Sequence, residues 1–365
     1  MEIITPHPQL IKTLELISRI STKHVTLPVL QCALINATAD TISIKATNLE
    51  LSIEVTIPGK INEIGTIAVP MTTLLQSIQY INQSEITLRD EDGVLLIESK
   101  QTNTSIKSIP FEEFPTIRHL EGGGVKVNRP LFASGIKTTA FAASQSSIKP
   151  ELGSVYVQQK REHSLTFVST DSFRLMEKRV PQKGVVLDHS FLVPQKNAIE
   201  LARICDLLED DPVLTVTDNQ CALDFVSEGV YVTSRLVSGS FPDYEQIIPK
   251  EYITHVTVLK SELLNAFKKT SVFLNKFHQV SLSLTDGNIV VSSQNNEVGH
   301  ITDTVKAVIE GEELSLNFNQ QYLIEPLSHI SDDSIVMHFA GIGRPLVING
   351  VSDNTLRYLV MPMNR

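Results

Sequence analysis

The chain has 365 residues, 42% of them apolar and only 6% aromatic, with no tryptophan. That length and apolar share suit two or three globular domains, each able to bury its own core. Its net charge of −10 taken alone argues against a nucleic-acid partner. Cys32, Cys205 and Cys221, an odd number without a Cys-x-x-Cys pair, argue against a disulfide scaffold and a zinc ribbon. The start of the chain, Met1-Glu2-Ile3-Ile4-Thr5-Pro6, has no basic segment leading into an apolar run. No stretch of about 20 apolar residues follows, so the expectation is a soluble cytoplasmic protein without a membrane span.

In chain order, an amphipathic helix is predicted over His7–Arg19, with Leu10, Ile11, Leu14, Ile17 and Ile20 at helical spacing. A hairpin joins Leu34–Ala37 to Ile42–Ala46, a further strand follows Asn48, and a second helix opens at Met71 after Val69-Pro70. A second hairpin joins Ile86–Leu88 to Val94–Ile97. The same order then returns. Helix Arg129–Ala143 precedes hairpin Val155–Val157 with Leu165–Val168, a strand after Asp171, a helix after Val193-Pro194, and hairpin Val213–Val216 with Ala222–Val226. It returns once more as helix Ser261–Leu274, with Ser261 as N-cap and Leu263, Leu264, Phe267 and Val272 inward. Hairpin Val280–Leu284 turns there at Asp286-Gly287-Asn288, a strong turn signal, and Ile335–Phe339 pairs with Leu346–Ile348.

The second-helix markers at Val69, Val193 and Phe318 are spaced by 124 and 125 residues. A repeat of that length is a whole domain and far exceeds a solenoid unit. The reading is an α+β protein of three tandem domains, 1–121, 126–249 and 250–365. Glu121-Gly122-Gly123-Gly124 forms the first linker, and a second boundary lies near Pro249-Lys250-Glu251.

No catalytic constellation is found. The chain has no Gly-x-x-x-x-Gly-Lys phosphate loop, no Gly-x-Ser-x-Gly elbow and no His-Glu-x-x-His, and Gly341-Ile342-Gly343 lacks a third glycine. Asp90-Glu91-Asp92-Gly93 with Glu98 departs from calcium-loop spacing and reads as a solvated turn, as does Asp210-Asp211. Asp171 beside Arg174 is a functional or a structural ion pair; the pattern leaves both open. The charge is uneven, however. The first helix of each repeat with its flanks carries +2 (residues 7–23), +4 (126–149) and +3 (259–276), which leaves −19 for the rest. Solvated helix faces often carry lysine. A basic lining inside an acidic exterior would instead draw in phosphates without sequence preference.

Thr26-Leu27-Pro28-Val29-Leu30, Lys149-Pro150-Glu151-Leu152, Thr170-Asp171-Ser172-Phe173-Arg174-Leu175, Phe241-Pro242-Asp243-Tyr244 and terminal Val360-Met361-Pro362-Met363 occur in this order. With them the chain resembles, over its full length, the beta subunit of bacterial DNA polymerase III, the sliding-clamp family. The resemblance implies three tandem clamp domains, each with two helices packed on antiparallel sheets, forming half of a ring. Two protomers would close that ring around duplex DNA and tether the replicative polymerase. It implies no catalytic residue, cofactor or metal. It also implies a pocket that recruits polymerases, the clamp loader and repair proteins through short motifs. The alternative is a peptide-binding scaffold that encircles nothing.

By match, DNA contacts would be Lys12, Lys23, His24, Lys137, Gln145, Lys149 and Lys268. The pocket would comprise Leu152, Thr170, Ser172, Phe173, Arg174, Leu175, Pro242, Gln246, Ile247, Pro345, Val360, Met361, Pro362 and Met363, with the tail from Val360 onward outside the repeat core. The dimer seam would use Ile106, Val272 and Phe273. Three departures stand out. Ser172-Phe173 replaces a usual Gly-His, Glu245 follows Phe-Pro-Asp-Tyr where a cation is common, and His24 replaces a frequent arginine.

Overall fold

The computed structural model describes residues 1–21, 26–99 and 102–363. Among the described residues there are six α-helices: α1 (His7–Ile17), α2 (Met71–Ile78), α3 (Arg129–Thr139), α4 (Gln195–Leu207), α5 (Lys260–Thr270) and α6 (Gln320–Ile324). They fall two to a repeat. All else that is regular is strand or short 3-10 turn, and the described strands pair antiparallel throughout. The α+β class read from the spacing of apolar residues is the observed one.

Strands run straight into helices at five places: Glu2–Pro6 into α1, Gly65–Pro70 into α2, Phe191–Pro194 into α4, Thr254–Leu259 into α5 and Leu314–Asn319 into α6. This overturns Ser261 as a cap. The N-cap of α5 is Leu259, which caps with no side chain, and Lys260 N–H donates to Asp333 O at 2.9 Å. Side-chain caps appear where a polar residue does stand at the junction: Asn128 Oδ1 accepts from Leu131 N–H at 3.1 Å, and Asn319 caps α6 through Gln321 N–H. Val272 is also corrected. Leu263 and Phe267 are buried, but the chain tightens to a 3-10 turn over Ser271–Phe273, which breaks the helical phase and leaves Val272 65% exposed.

The chain folds as two compact units, Met1–Ala133 with Glu200–Leu236, and Ser134–Ile199 with Val237–Arg365. These cut across the repeats, and strand pairing shows why. The first unit holds a five-stranded sheet and an eight-stranded sheet, and in the latter Val230–Arg235 of the second repeat pairs with Leu51–Ile57 of the first. The second unit holds one twelve-stranded sheet, in which Arg174–Pro181 of the second repeat pairs with Leu356–Val360 of the third. Shared hydrogen-bond ladders thus join strands of neighbouring repeats within each unit.

In the second unit the period-two alternation sorts side chains to two faces. Met176, Val256, Phe267, Phe318, Phe339, Tyr358 and Val360 pack into one large core. Val168, Leu175, Val347 and Leu359 face the other way and are covered by Tyr244, with Phe241, Ile248 and Tyr252 around it.

Candidate functional site

The sequence-derived pocket residues all fall in the second unit, where strands Ser164–Thr170, Arg174–Pro181, Leu346–Gly350 and Leu356–Val360 come together at one end. The Thr170–Arg174 corner is a tight turn closed by its own polar groups. Asp171 Oδ1 accepts from Phe173 N–H at 2.9 Å and Arg174 N–H at 3.0 Å, while Thr170 Oγ1 donates to Arg174 O at 2.6 Å. Ser172 sits at φ +77°, a left-handed conformation that suits glycine and strains a residue with a Cβ. The turn lifts Phe173 into solvent, 62% exposed.

Arg174 turns beneath that corner. Its side chain is only 10% exposed. Nε donates to Asp171 Oδ2 at 2.9 Å, Nη2 donates to Phe141 O at 3.0 Å, and Nη1 meets the Glu325 carboxylate. The guanidinium lies 4.4 Å over the Tyr322 ring. Burial works against its charge, but the hydrogen bond to Glu325 and the nearby Tyr358 and Asp171 outweigh it and hold its pKa above the ordinary arginine value. Arg174 with its carboxylate partners braces the Thr170–Arg174 corner, tying the second repeat to α6 and the 3-10 turn Glu325–His329 of the third.

The tail is corrected too. Val360 is fully buried in the core, opposite Arg174 and Leu346, so it lies inside the repeat. Past it, Met361 N–H donates to Phe173 O at 2.8 Å and Met363 N–H to Asn317 O at 2.7 Å. Met361 remains 37% exposed. Pro362 and Met363 border a cavity of about 230 Å³ with Ser315, Leu316, Asn317, Ile342 and Gly343. Asn317 and Ile342, and the brace partners Tyr322 and Glu325, went unassigned from sequence. Only their closeness in space to the tail and to Arg174 reveals them.

On the other face, the Phe241–Ile248 loop is pinned by its aromatics. Phe241 stacks on Tyr156 at 4.7 Å, and Tyr244, 4% exposed, packs on Leu175 and Leu359. Tyr244 Oη donates to Glu177 at 2.6 Å and accepts from Lys160 at 2.6 Å; burial, then the Glu177 charge, push its pKa far upward. Glu245 is paired with Lys160, so the acid in place of the usual cation secures this loop. Pro242, Gln246 and Ile247 are left exposed above it, Gln246 bonded to Asp243 at 2.8 Å. Leu175 and Val360 consequently lie on opposite faces of one sheet, and Leu152, Thr170 and Leu175 are buried, with Pro345 half-buried. The exposed apolar groups able to meet a ligand are Phe173, Ile247 and Met361, with Pro362 and Met363 beside the cavity.

Among the proposed DNA contacts, Lys23 and His24 lie outside the described residues. Lys137 and Lys268 are exposed and hold the same helix position, eight residues past the first residue of α3 and of α5. Gln145 and Lys149 are exposed on the segment after α3, Gln145 Nε2 donating to Gln195 Oε1 at 2.9 Å. Lys12 is exposed but lies 3.8 Å from Glu228. Several cations that made these helices read as basic are spent internally. Arg129 Nη1 donates to Cys205 O and Lys260 Nζ to Ile330 O, each at 2.5 Å, while Lys269 pairs with Asp303 at 2.8 Å.

For the seam, Ile106 points inward, 5% exposed, on strand Asn103–Lys107, the outer strand of its five-stranded sheet. Val272 is exposed, and Phe273 is half-buried, 3.4 Å from where a Cβ on Gly299 would stand.

The Asp90–Gly93 segment is a hairpin turn, with Asp92 and Gly93 at φ +50° and +77°. Asp210 accepts from the Ser227 and Asp211 N–H groups, and hydrogen bonding from Ser227, side chain then backbone, with a lesser part from Asp211, lowers its pKa. Among the described residues no three His, Cys, Asp or Glu side chains are grouped to hold a metal, and no helix is long and apolar enough to cross a membrane.

Comparison with known proteins places this architecture. The models of the N-terminal, central and C-terminal domains of the DNA polymerase III beta subunit match residues 1–118, 126–243 and 245–364. The chain belongs to the DNA polymerase III beta subunit family. It is 26% identical to the beta sliding clamp of Pseudomonas putida over 97% of both chains, and 26% identical to that of Bacillus subtilis over 97% of both. The solved beta subunit from Thermotoga maritima superposes with a TM-score of 0.93 at 25% identity, covering 100% of this chain and 99% of that one. A Pseudomonas aeruginosa sliding clamp solved bound to griselimycin has the same fold, with a TM-score of 0.92 at 24% identity. The protein is therefore a sliding clamp, a non-catalytic subunit of the replication machinery.

Proposed function

We propose that two copies of this chain close into a ring around duplex DNA and tether the replicative polymerase in the cytoplasm, each copy contributing repeats 1–121, 126–249 and 250–365. The observation that carries the reading is the recurrence of an exposed lysine, Lys137 and Lys268, at one position of the first helix in two repeats. Such cations hold phosphates without reading bases. Lys149, Gln145 and Lys12 add to them, with Lys23 and His24 on the segment after α1.

Two free sheet edges support closure. Among the described residues Asn103–Lys107 has a strand partner on one side only, and Gly299–Lys306 pairs only with Asn288–Asn295, since pairing to Thr254–Val258 begins at Ala307. Edges of this kind invite another strand. Ile106 places its backbone at the first edge, and exposed Val272 with Phe273 flanks the second. An isologous dimer would use the two edges twice and leave neither open.

The apolar groups Phe173, Ile247, Met361, Pro362 and Met363 would take short linear motifs from polymerase, clamp loader and repair proteins, methionine supplying adaptability. The test of encirclement is retention on DNA. Protein loaded on nicked circular DNA should stay and should slide off once that DNA is made linear; equal retention on both forms refutes the ring. The alternative, a scaffold that binds peptides without encircling, predicts a monomer at micromolar concentration. The ring predicts a species of about 81 kDa, twice 40.4 kDa.

A further inference from the structure

His255 and His338 are directly opposed on adjacent strands, Thr254–Leu259 and Ser334–Phe339, so their side chains share a face. Their Nδ1 atoms stand 2.7 Å apart, with the rings nearly perpendicular at 81°. Tyr252 packs on both imidazoles, with ring centroids 5.9 and 5.2 Å away, and walls one side of the pair. Both histidines are half-buried, and an ion could still reach them from solvent. Neither the tethering role nor the pocket uses them.

We propose that His255 and His338 form a two-imidazole site for a divalent transition-metal ion of square-planar preference, Cu(II) or Ni(II) before Zn(II). At metal–nitrogen distances of about 2.0–2.1 Å, neighbouring ligands at a right angle lie about 2.9 Å apart and tetrahedral ones about 3.3 Å. The pair needs to open only a little for the former and more for the latter. Burial, then the neighbouring His255, lower the pKa of His338, which keeps its lone pair available for a metal. No third ligand is grouped with the pair among the described residues, so water completes the sphere. Glu310, exposed and opposite His255 on the next strand, is the carboxylate nearest in register. The rival account is a plain Nδ1–H···Nδ1 hydrogen bond, which needs no metal.

The experiment titrates the full chain with Cu(II) and follows it by calorimetry and electron paramagnetic resonance. The expected result is one ion per chain with two imidazole nitrogens in its equatorial plane, a raised melting temperature, and loss of that ion in both His255→Gln and His338→Phe. An unchanged stoichiometry and spectrum in both variants overturns the proposal. So does a native-chain spectrum without two coordinated imidazoles, whatever the variants do.

Discussion

Two kinds of cation divide the labour in this molecule. Arg174 is 10% exposed and directs its donors to Asp171, Glu325 and the Phe141 carbonyl, whereas Lys137 and Lys268 are exposed near the ends of α3 and α5. A buried guanidinium with fixed partners makes a rigid corner. An exposed ammonium on a flexible stem keeps its hydration and attracts phosphate at a distance.

The comparison breaks most sharply at Arg174. Arg174→Ala leaves the Asp171 and Glu325 carboxylates without their cation, a change that costs about 3–5 kcal/mol for buried pairs. Denaturant unfolding of the variant should show that loss, and a shift below about 1 kcal/mol would mean the brace is dispensable. By contrast, Lys137→Glu with Lys149→Glu should leave stability nearly unaltered and weaken DNA binding. The slope of log K against log salt should flatten by about 2 for the two lost contacts; an unaltered slope removes both lysines from the interface.

Cutting the chain after Val360 keeps that residue in its strand but removes the groups held at Phe173 and Asn317. Affinity for a polymerase-tail peptide should fall at least about tenfold, 1.4 kcal/mol, with little change in melting temperature. Full affinity would place the peptide elsewhere.

A smaller effect concerns pH. His329 stacks on Phe141 at 4.9 Å, and burial, only partly offset by Glu325, lowers its pKa from 6.5. The unfolded chain then binds the proton more readily, so stability falls as pH drops through 6.5 toward the depressed folded value. His329→Phe should flatten that part of the stability–pH curve; an identical curve assigns the slope to other groups. Least of all, Ser172→Gly relieves the φ of +77° and should stabilise by about 0.5–1 kcal/mol. A loss on that substitution would show that the Ser172 side chain compensates its own strain.

Much of the fold was legible because it is written locally. Alternation marked the hairpins, helical spacing marked α1 and α3, and Asp286-Gly287 marked a turn the structure keeps at φ +41° and +73°. The errors share a cause. Ser261 and Val272 were judged from helix periodicity, but a strand entering at Leu259 and a 3-10 turn at Ser271 reset the phase. Arg129 and Lys260 entered the helices' net charge with no partner foreseen, and each reaches a distant carbonyl, on Cys205 and Ile330. Val360 was read as part of a loose tail, and a neighbouring strand 186 residues earlier, beginning at Arg174, buries it.

The amino-acid sequence by itself determined the threefold α+β repeat, its element order and the clamp family. These depend on short-range periodicity and on ordered motifs, and neither requires knowing which segments meet. Only the tertiary structure decided that Arg174 serves as a brace to Glu325, that Leu175 and Val360 lie on opposite faces of one sheet, and that His255 confronts His338. Each of these follows from strand register and from pairing across long loops. A register shift of one residue would turn every such side chain to the other face, and no local pattern records it.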